Sequence, residues 1–310
     1  MTLEDAMNKY AIPIPSNVNE YDKEEYREFD NVFLKSFYNT FYTKDDINIE
    51  RNKIKTKVAV VLGGQTGAGK SSLVAETKRD FAKTNRRIAL IDDDVYRKMY
   101  PYANEILRKC PEFYTPITAT ASSKVTPKIM QFASDNNYNF IFDGTMKNAR
   151  IIETMKTWQG YEIQVKIMAA SRLRSLASIA IRNAELRRRG EARFISNDAH
   201  DETYYGIPET LDLLQTSGLA KEIKIYTRGI DPLYPIQRYS SLEDEHGTKI
   251  SEKLEELRRK DEMEFLHTAD REIEYLKSLA RELSENEKVE IDKVITMIQI
   301  RRNELNQDIR

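Results

Sequence analysis

The most constraining feature of this chain is a glycine-rich stretch between an apolar run and a helix-like segment. Residues 58–62 are all apolar, Gly64 and Gly69-Lys70-Ser71 follow at P-loop spacing, and residues 73–79 have helical character. In a P-loop the backbone N–H groups turn inward around a phosphate, and a Cβ would block the positive-φ positions that this requires. The sequence therefore predicts a strand, a phosphate-binding loop and a helix, and with them a nucleoside triphosphate site.

Two side chains of this loop have predicted roles. Lys70 should reach the β- and γ-phosphates, and the Ser71 hydroxyl should bind Mg²⁺. The N-terminus of the following helix adds partial positive charge. We therefore expect ATP and Mg²⁺ as cofactors, bound by Gly64, Gln65, Thr66, Gly67, Ala68, Gly69, Lys70, Ser71 and Ser72.

The composition argues against several classes of protein. The 310 residues carry a net charge of −1, from 49 basic and 50 acidic residues, whereas a sequence-independent nucleic-acid binder has a basic excess. The lone cysteine, Cys110, excludes an internal disulfide and a four-cysteine zinc site. No apolar run approaches the roughly 20 residues of a membrane helix, and the acidic N-terminus lacks the apolar core of a signal peptide. We expect a cytoplasmic protein that binds neither nucleic acid nor a membrane.

Strand-like and helical segments alternate after the P-loop. This alternation predicts an α/β fold in which a mostly parallel sheet is flanked by helices. A long helical stretch should be broken at Pro111, Pro116 and Pro127, because proline removes a backbone donor. The predicted strands after the first lie at residues 88–91, 139–142, 162–169 and 222–226.

Acidic residues follow two of these strands. Asp92-Asp93-Asp94 come after the second strand and Asp143 after the third. Because ligands bind beyond the carboxyl ends of parallel strands, these acids should lie near the phosphates. A kinase needs a carboxylate to orient or deprotonate an acceptor hydroxyl, for which Asp94 is the candidate, while helix capping and solvation are the alternative for the triplet. Asp143 would hold Mg²⁺ or a substrate hydroxyl.

Arginines are dense in residues 171–193, after the fourth strand. Charge spreads over the γ-phosphate oxygens during transfer, and guanidinium groups stabilise it. In small P-loop kinases such groups come from a lid in this position. The segment is therefore a candidate lid, although a solvated basic helix is the alternative for any single arginine.

The two ends of the chain are predicted to be helical. Residues 21–42 place aromatic residues at helical spacing, and residues 250–305 form a long amphipathic pattern interrupted near residues 284–286. Each end either packs on the central domain or serves a partner or regulation. We divide the chain into an N-terminal helical arm (1–55), a P-loop domain (56–242) and a C-terminal helical extension (243–310).

Several segments, taken in order, resemble the zeta-toxin family. They are GGQTGAGKSSL at 63–73, IDDD at 91–94, DGT at 143–145, MA at 168–169, AR at 192–193, AHD at 199–201, PETL at 208–211 and SGL at 217–219. The resemblance covers about residues 55–240 and implies a P-loop kinase core with added helices. It also implies a bacterial toxin that phosphorylates the 3′-hydroxyl of the sugar in UDP-N-acetylglucosamine, and an antitoxin protein as a possible partner.

Matched to the family residue by residue, the chain carries a catalytic set. The resemblance implies that Lys70 binds phosphate and that Asp94 is the base facing the acceptor hydroxyl. It implies that Arg182 and Arg193 stabilise the transferring phosphoryl group.

The substrate side departs from the family. The resemblance assigns substrate contacts to Asp94, Asp143, Thr145 and Lys147, but Asp143 stands where the family has a glutamate and Lys147 where it commonly has arginine. Lysine cannot form the bidentate fork of arginine. A further family glutamate is replaced near Pro127. A UDP-aminosugar is the expected substrate, and another acceptor, such as NAD or a nucleoside, is the alternative.

Two other classes of function stay open. One is an NTPase switch that acts through partners and uses the long C-terminal helices as its output. The other is a binding-only pseudokinase. Lid arginines and a full set of Lys70, Asp94, Arg182 and Arg193 favour the kinase, and ADP release that depends on a small acceptor would distinguish it from the switch.

Overall fold

The computed structural model describes residues 56–97, 103–110, 113–188, 195, 197–245, 247–283 and 285–308. The predicted N-terminal arm of residues 1–55 lies outside these ranges, as does Arg193.

A six-stranded sheet forms the centre of the molecule, in the order β2-β3-β1-β4-β5-β6. The first five strands are parallel, and β6 pairs antiparallel with β5. The mostly parallel sheet is thus confirmed, whereas β6 escaped prediction because its side chains are largely exposed and form no apolar run. The strands are β1 Lys57–Gly63, β2 Ala89–Asp92, β3 Phe140–Asp143, β4 Tyr161–Met168, β5 Glu222–Thr227 and β6 Ile236–Ser240.

Helices cover the sheet and extend beyond it. In the described ranges they are α1 Lys70–Lys83, α2 Asp93–Arg97, α3 Ala103–Lys109, α4 Tyr114–Asp135, α5 Arg150–Lys156, α6 Arg172–Arg188, α7 Asn197–Ser217, α8 Ile250–Ala280 and α9 Glu285–Asp308. None of these helices is both long enough and apolar enough to cross a membrane.

The core lies on both faces of β1, because successive side chains of a strand point to opposite sides. Val60 and Leu62 pack on one face with Leu73 of α1, and Ala59 and Val61 pack on the other. Each Val or Leu buried in this way contributes about 1.5–3 kcal/mol. The strand that leads into the P-loop is therefore fixed firmly from both sides.

The predicted helix breaks at Pro116 and Pro127 are wrong, and the one at Pro111 lies outside the described residues. The helix continues through Pro127, and Pro116 falls in its first turn, where a missing N–H has little cost. A proline inside a helix costs about 3 kcal/mol. Met130 and Ala133, in the two turns beyond Pro127, are buried in the main core, and this packing offsets the cost.

The C-terminal extension is confirmed as a pair of helices. The start of α8 packs into the main core through Ile250, Leu254 and Leu257. The rest of α8 forms a second apolar cluster with α6 and α9. The division at residue 242 stays a prediction, because α8 shares the core of the central domain.

Candidate active site

The loop between β1 and α1 has the backbone that a phosphate cradle needs. Gly69 has a φ of 105° and Gly67 a φ of 78°, in the left-handed region that favours glycine. A Cβ on Gly67 would lie 2.2 Å from the Ser175 carbonyl oxygen of α6. Both the backbone conformation and the close approach of α6 therefore require glycine at position 67.

The first turn of α1 offers a site for an anion. Gly69 supplies no side-chain cap, and the turn contains no acidic residue. The N–H groups at a helix start lack intrahelical partners, and the helix dipole favours negative charge there. Lys70 Nζ donates to the Gly64 carbonyl oxygen at 3.0 Å, so its ammonium stays beside the loop. These features fit the phosphates of a nucleotide.

Ser71 and Ser72 are neighbours with different surroundings. Ser72 is 8% exposed, and its Oγ donates to the Gly69 carbonyl oxygen at 2.8 Å. Ser71 is exposed. A P-loop holds Mg²⁺ with a Ser or Thr hydroxyl and phosphate oxygens, so the residue present at position 71 fits this ion. Across the described ranges, no group of three or more His, Cys, Asp or Glu residues is placed to hold a metal.

Other residues of the loop face the protein interior. The Gln65 side chain is fully buried and donates from Nε2 to the Ala170 carbonyl oxygen at 2.8 Å. Ala68 is also fully buried, whereas Thr66 is half-buried. Gln65 and Ala68 can therefore contact a nucleotide through their backbone only.

Arg228, just beyond β5, is a site residue that the sequence analysis missed. Its Nε donates to the Ala68 carbonyl oxygen at 3.0 Å, and its Nη2 donates to the carbonyl oxygen of Gly67 and to Ser178 Oγ. Burial lowers the pKa of this guanidinium. The sequence could have indicated this residue, because Arg228 follows a predicted strand at the ligand-binding edge of the sheet.

The acidic strand ends lie beside the phosphate loop. Asp92 of β2 and Asp143 of β3 occupy paired positions, and Asp143 in turn pairs with Leu62 of β1. Beyond β3, the Thr145 carbonyl oxygen accepts the Gly64 N–H at 3.4 Å. The structure therefore places Asp143 and Thr145 beside the loop, and their substrate contacts stay a prediction.

The acids of the triplet differ in their contacts. Asp92 Oδ1 accepts the Asp94 N–H at 2.9 Å and so caps α2. Asp93 accepts a hydrogen bond from Thr126, and burial raises the pKa of this carboxyl. Asp94 has a side chain that is 42% exposed and lies 3.4 Å from the guanidinium of Arg97. Asp92 is thus the carboxylate that caps the helix, while Asp94 is accessible to a substrate.

Lys147 is tied to α7. Its Nζ lies 3.0 Å from Glu202 Oε2, and both side chains are exposed. The neighbouring Met146 is buried with a φ of 56°, unusual for a residue with a Cβ. A Cβ on Gly206 of α7 would lie 2.1 Å from the Lys147 carbonyl oxygen. Helix α7 therefore packs directly against the loop that carries the predicted substrate contacts.

The arginines of α6 divide into two groups. Arg172 forms a bidentate pair with Asp201 of α7, at 2.8 and 2.7 Å, and Arg174 lies 3.0 Å from Asp261 of α8. These two hold helices together. Arg182 is half-buried further along α6 and stays a candidate for the transferring phosphoryl group.

Comparisons with known proteins show which family the chain is similar to. The family model described as Zeta toxin matches residues 43–268. "Toxin zeta" of Enterococcus hirae is 27% identical over 235 residues, which cover 71% of this chain and 81% of that protein. "Toxin PezT" of Streptococcus pneumoniae is 26% identical over 210 residues, covering 66% and 78%.

Solved structures show the same fold. A structure from the PezAT toxin–antitoxin system of Streptococcus pneumoniae matches with a TM-score of 0.61 and 22% identity, over 77% of this chain and 98% of that one. The AvrRxo1-ORF1:-ORF2 complex with ATP matches with a TM-score of 0.54 and 11% identity, over 92% of both chains. Because the family model spans well over half of the sequence, the chain belongs to the zeta toxin family, a family of kinases.

Proposed function

We propose that this chain is an ATP-dependent kinase that phosphorylates a sugar hydroxyl, namely the 3′-hydroxyl of UDP-N-acetylglucosamine or a related UDP-aminosugar. The observation that carries the proposal is the junction between the phosphate loop and the acidic strand ends. The Thr145 carbonyl oxygen accepts a hydrogen bond from the Gly64 N–H, and Asp143 of β3 pairs with Leu62 of β1. A donor phosphate and an acceptor hydroxyl would meet at this junction.

The nucleotide side follows from the loop. The N–H groups at the start of α1 would bind the phosphates, and Lys70 would exchange its bond to Gly64 for the β- and γ-phosphates. Ser71 would hold Mg²⁺, which supplies positive charge to the phosphate oxygens when it is bound. Arg182 and Arg193 would add guanidinium charge to the transferring group.

The acceptor side depends on Asp94. Its exposed carboxylate would orient the attacking hydroxyl and take its proton. Asp143, Thr145 and Lys147 would contact the sugar nucleotide. NAD or a nucleoside stays the alternative acceptor, because Asp143 and Lys147 depart from the residues that the family has at these positions.

The test is acceptor-dependent transfer by the purified protein. ATP and Mg²⁺ are supplied with UDP-N-acetylglucosamine, related UDP-sugars, NAD or nucleosides in turn, and the products are read by mass spectrometry. A UDP-sugar that gains one phosphate supports the proposal, and transfer to another acceptor alone supports the alternative. ATP hydrolysis that no acceptor stimulates would favour the NTPase switch.

Asp94→Asn should lower transfer by at least about 100-fold and leave ATP affinity nearly unchanged, because the carboxylate acts on the acceptor and not on the nucleotide. Asp80→Asn, which removes an acid near the end of α1 that pairs with Lys83 and Lys166, is the matched control and should retain full activity. Unchanged turnover in Asp94→Asn would refute the assigned base.

Lys70→Ala should lose transfer, and normal rates in it would refute the P-loop role.

An antitoxin partner is part of the proposal. The similar PezAT structure comes from a toxin–antitoxin system. Induced expression of this chain should stop bacterial growth, and Lys70→Ala should not. Equal growth of both strains, with both proteins present at the same level, would remove the toxin assignment.

A further inference from the structure

The side chain of Gln65 fastens the phosphate loop to α6. Gln65 is fully buried, and its Nε2 donates to the Ala170 carbonyl oxygen at 2.8 Å and to Ser175 Oγ at 3.2 Å. It lies between Gly64 and Gly67, at the centre of the loop. Because a glycine-rich loop has few side chains to hold it, this amide is one of its principal anchors.

A chain of hydrogen bonds continues from Ser175 into α7. Ser175 Oγ lies 2.8 Å from His200 Nε2, and His200 Nδ1 lies 2.9 Å from Asp201 Oδ1. Arg172 donates to both oxygens of Asp201, which keeps this carboxylate ionised. Asp201 therefore accepts a hydrogen bond from Nδ1–H, and Nε2 is left to accept one from the Ser175 hydroxyl.

The direction of these hydrogen bonds determines how Ser175 holds Gln65. With its hydrogen directed to His200, Ser175 has a lone pair aimed at the amide of Gln65. Without His200, the Ser175 hydroxyl would turn to the carbonyl oxygens of Ser171 or Arg172, each 2.9 Å away. Ser175 would then be held by the backbone of its own helix alone, and the hydrogen-bonded link from α7 to Gln65 would be lost.

This Ser-His-Asp set does not form a hydrolytic site. Ser175 is 0% and His200 1% exposed, so no substrate can reach the hydroxyl. A nucleophile must contact its substrate to react. The contribution of Ser175 and His200 is therefore positional.

The chain links the two halves of the active site. Helix α7, which carries His200, also carries Glu202, the partner of Lys147 beyond β3. A buried arginine of α8, Arg258, donates to the Tyr204 carbonyl oxygen of α7 at 2.9 Å, and its other terminal nitrogen lies 3.5 Å from Gln65 Oε1. Two routes thus run from α7 to the phosphate loop.

We propose that His200 is a positioning residue for the phosphate loop, acting through Ser175 and Gln65. Fixed in this way, Gln65 sets the peptide planes of the loop, so that their N–H groups meet the phosphates without rearrangement. The inference rests on the proposed function in one respect, namely that ATP binds at this loop.

The test compares two variants of the full chain. His200→Gln carries an amide oxygen near the position of Nε2 and can still accept from Ser175. His200→Asn reaches only the position of Nδ1 and cannot. We expect His200→Asn to weaken ATP binding about tenfold, the value of one neutral hydrogen bond, and His200→Gln to stay within about threefold of the parent. Calorimetric titration with ATP measures both.

A buried polar residue at the opposite end of the strands provides the control. Asn139 is 1% exposed, and it bonds the Val58 N–H and the Arg87 carbonyl oxygen at 3.0 Å each. Asn139→Ala should lower the melting temperature and leave ATP affinity unchanged. Should His200→Asn fail to fold, Ser175→Ala removes the same link and should also weaken ATP binding about tenfold.

Each outcome separates the inference from the proposed function. Parent-like ATP affinity in His200→Asn, an equal loss in His200→Gln, or the same loss in Asn139→Ala would overturn the positioning role alone. A parent protein that does not bind ATP would overturn the proposed function and this inference with it. A loss confined to His200→Asn and Ser175→Ala would establish the link.

Discussion

Arg228 donates to two consecutive carbonyl groups of the phosphate loop, those of Gly67 and Ala68. When peptide N–H groups point inward to a phosphate, their carbonyl groups must point outward, and buried carbonyl oxygens need donors. The planar fork of arginine meets both at once. A side chain far away in sequence therefore holds the loop in its binding conformation.

Arg228→Met should weaken ATP binding by about tenfold or more, because hydrogen bonds to charged groups are worth about 1.5–3 kcal/mol each and two carbonyl groups would lose theirs. Arg228→Lys should recover only part of the loss, since an ammonium cannot span both oxygens. Arg79, a surface arginine that donates to the Leu233 carbonyl oxygen at 2.8 Å, is the matched control. If Arg79→Met weakens ATP binding as much as Arg228→Met does, the effect is not specific to the loop.

The roles of Lys70 and Ser71 stay predictions at the residue scale. The P-loop pattern did predict the strand, glycine loop and helix that the structure contains, because spacing alone defines it. It could not identify Arg228, whose contacts join positions 160 and 161 residues apart. The sequence offered Asp94 as the candidate base with helix capping as the alternative for the triplet, and the structure shows that Asp92 is the carboxylate that caps α2.

At the scale of elements, α7 joins three parts of the molecule. It packs on α6 through Arg172 and Asp201, contacts α8 through Tyr204 and Arg258, and adjoins the loop of Lys147. A helix before the last predicted strand was expected, since strand-like and helical segments alternate in the sequence. Strand β6 and the unbroken α4 were not, because the first is decided by edge pairing with β5 and the second by tertiary packing.

The buried histidine of α7 predicts how stability depends on pH. Burial lowers the pKa of His200, although Asp201 favours its charged form, and Arg172 and Arg258 disfavour that form. The ring also stacks on Tyr204, with 6.1 Å between centroids. The unfolded chain takes up this proton near pH 6.5, about the ordinary pKa of histidine, and the folded chain only at lower pH. As pH falls below about 6.5, the unfolded state binds more protons and stability decreases.

His200→Gln, which cannot titrate, should therefore lose less stability than the parent between about pH 7 and pH 5. Urea unfolding followed by circular dichroism at several pH values measures the free energy of each protein. The difference between the two free energies of unfolding removes the effects of the titratable groups that both proteins share. A constant difference across this range would show that His200 takes up its proton equally in both states.

At the scale of the whole molecule, the structure raises the question of whether residues 56–242 form an independent unit. Ile250, Leu254 and Leu257 of α8 are at most 5% exposed and belong to the main core. Asp261, further along the same helix, accepts the Ser171 N–H at 2.7 Å at the start of α6. The beginning of α8 therefore completes the core of the central domain, whereas the buried apolar residues of α9 cluster with α6 and the later part of α8.

Two truncations test this arrangement. A chain that ends at residue 249 loses three buried apolar side chains worth about 1.5–3 kcal/mol each, which approaches the whole stability of about 5–15 kcal/mol of an ordinary domain. We expect this chain to show no cooperative thermal transition and no ATP binding. A chain that ends at residue 283 keeps all of α8 and loses α9, so it should melt cooperatively at a lower temperature and still bind ATP. Circular dichroism melts and ATP titrations measure both, and a cooperative, ATP-binding chain ending at 249 would show that residues 56–242 fold without α8. Equal failure of both truncations would instead place α9 in the same cooperative unit, because its apolar contacts with α6 would then be needed to hold the candidate lid against the core.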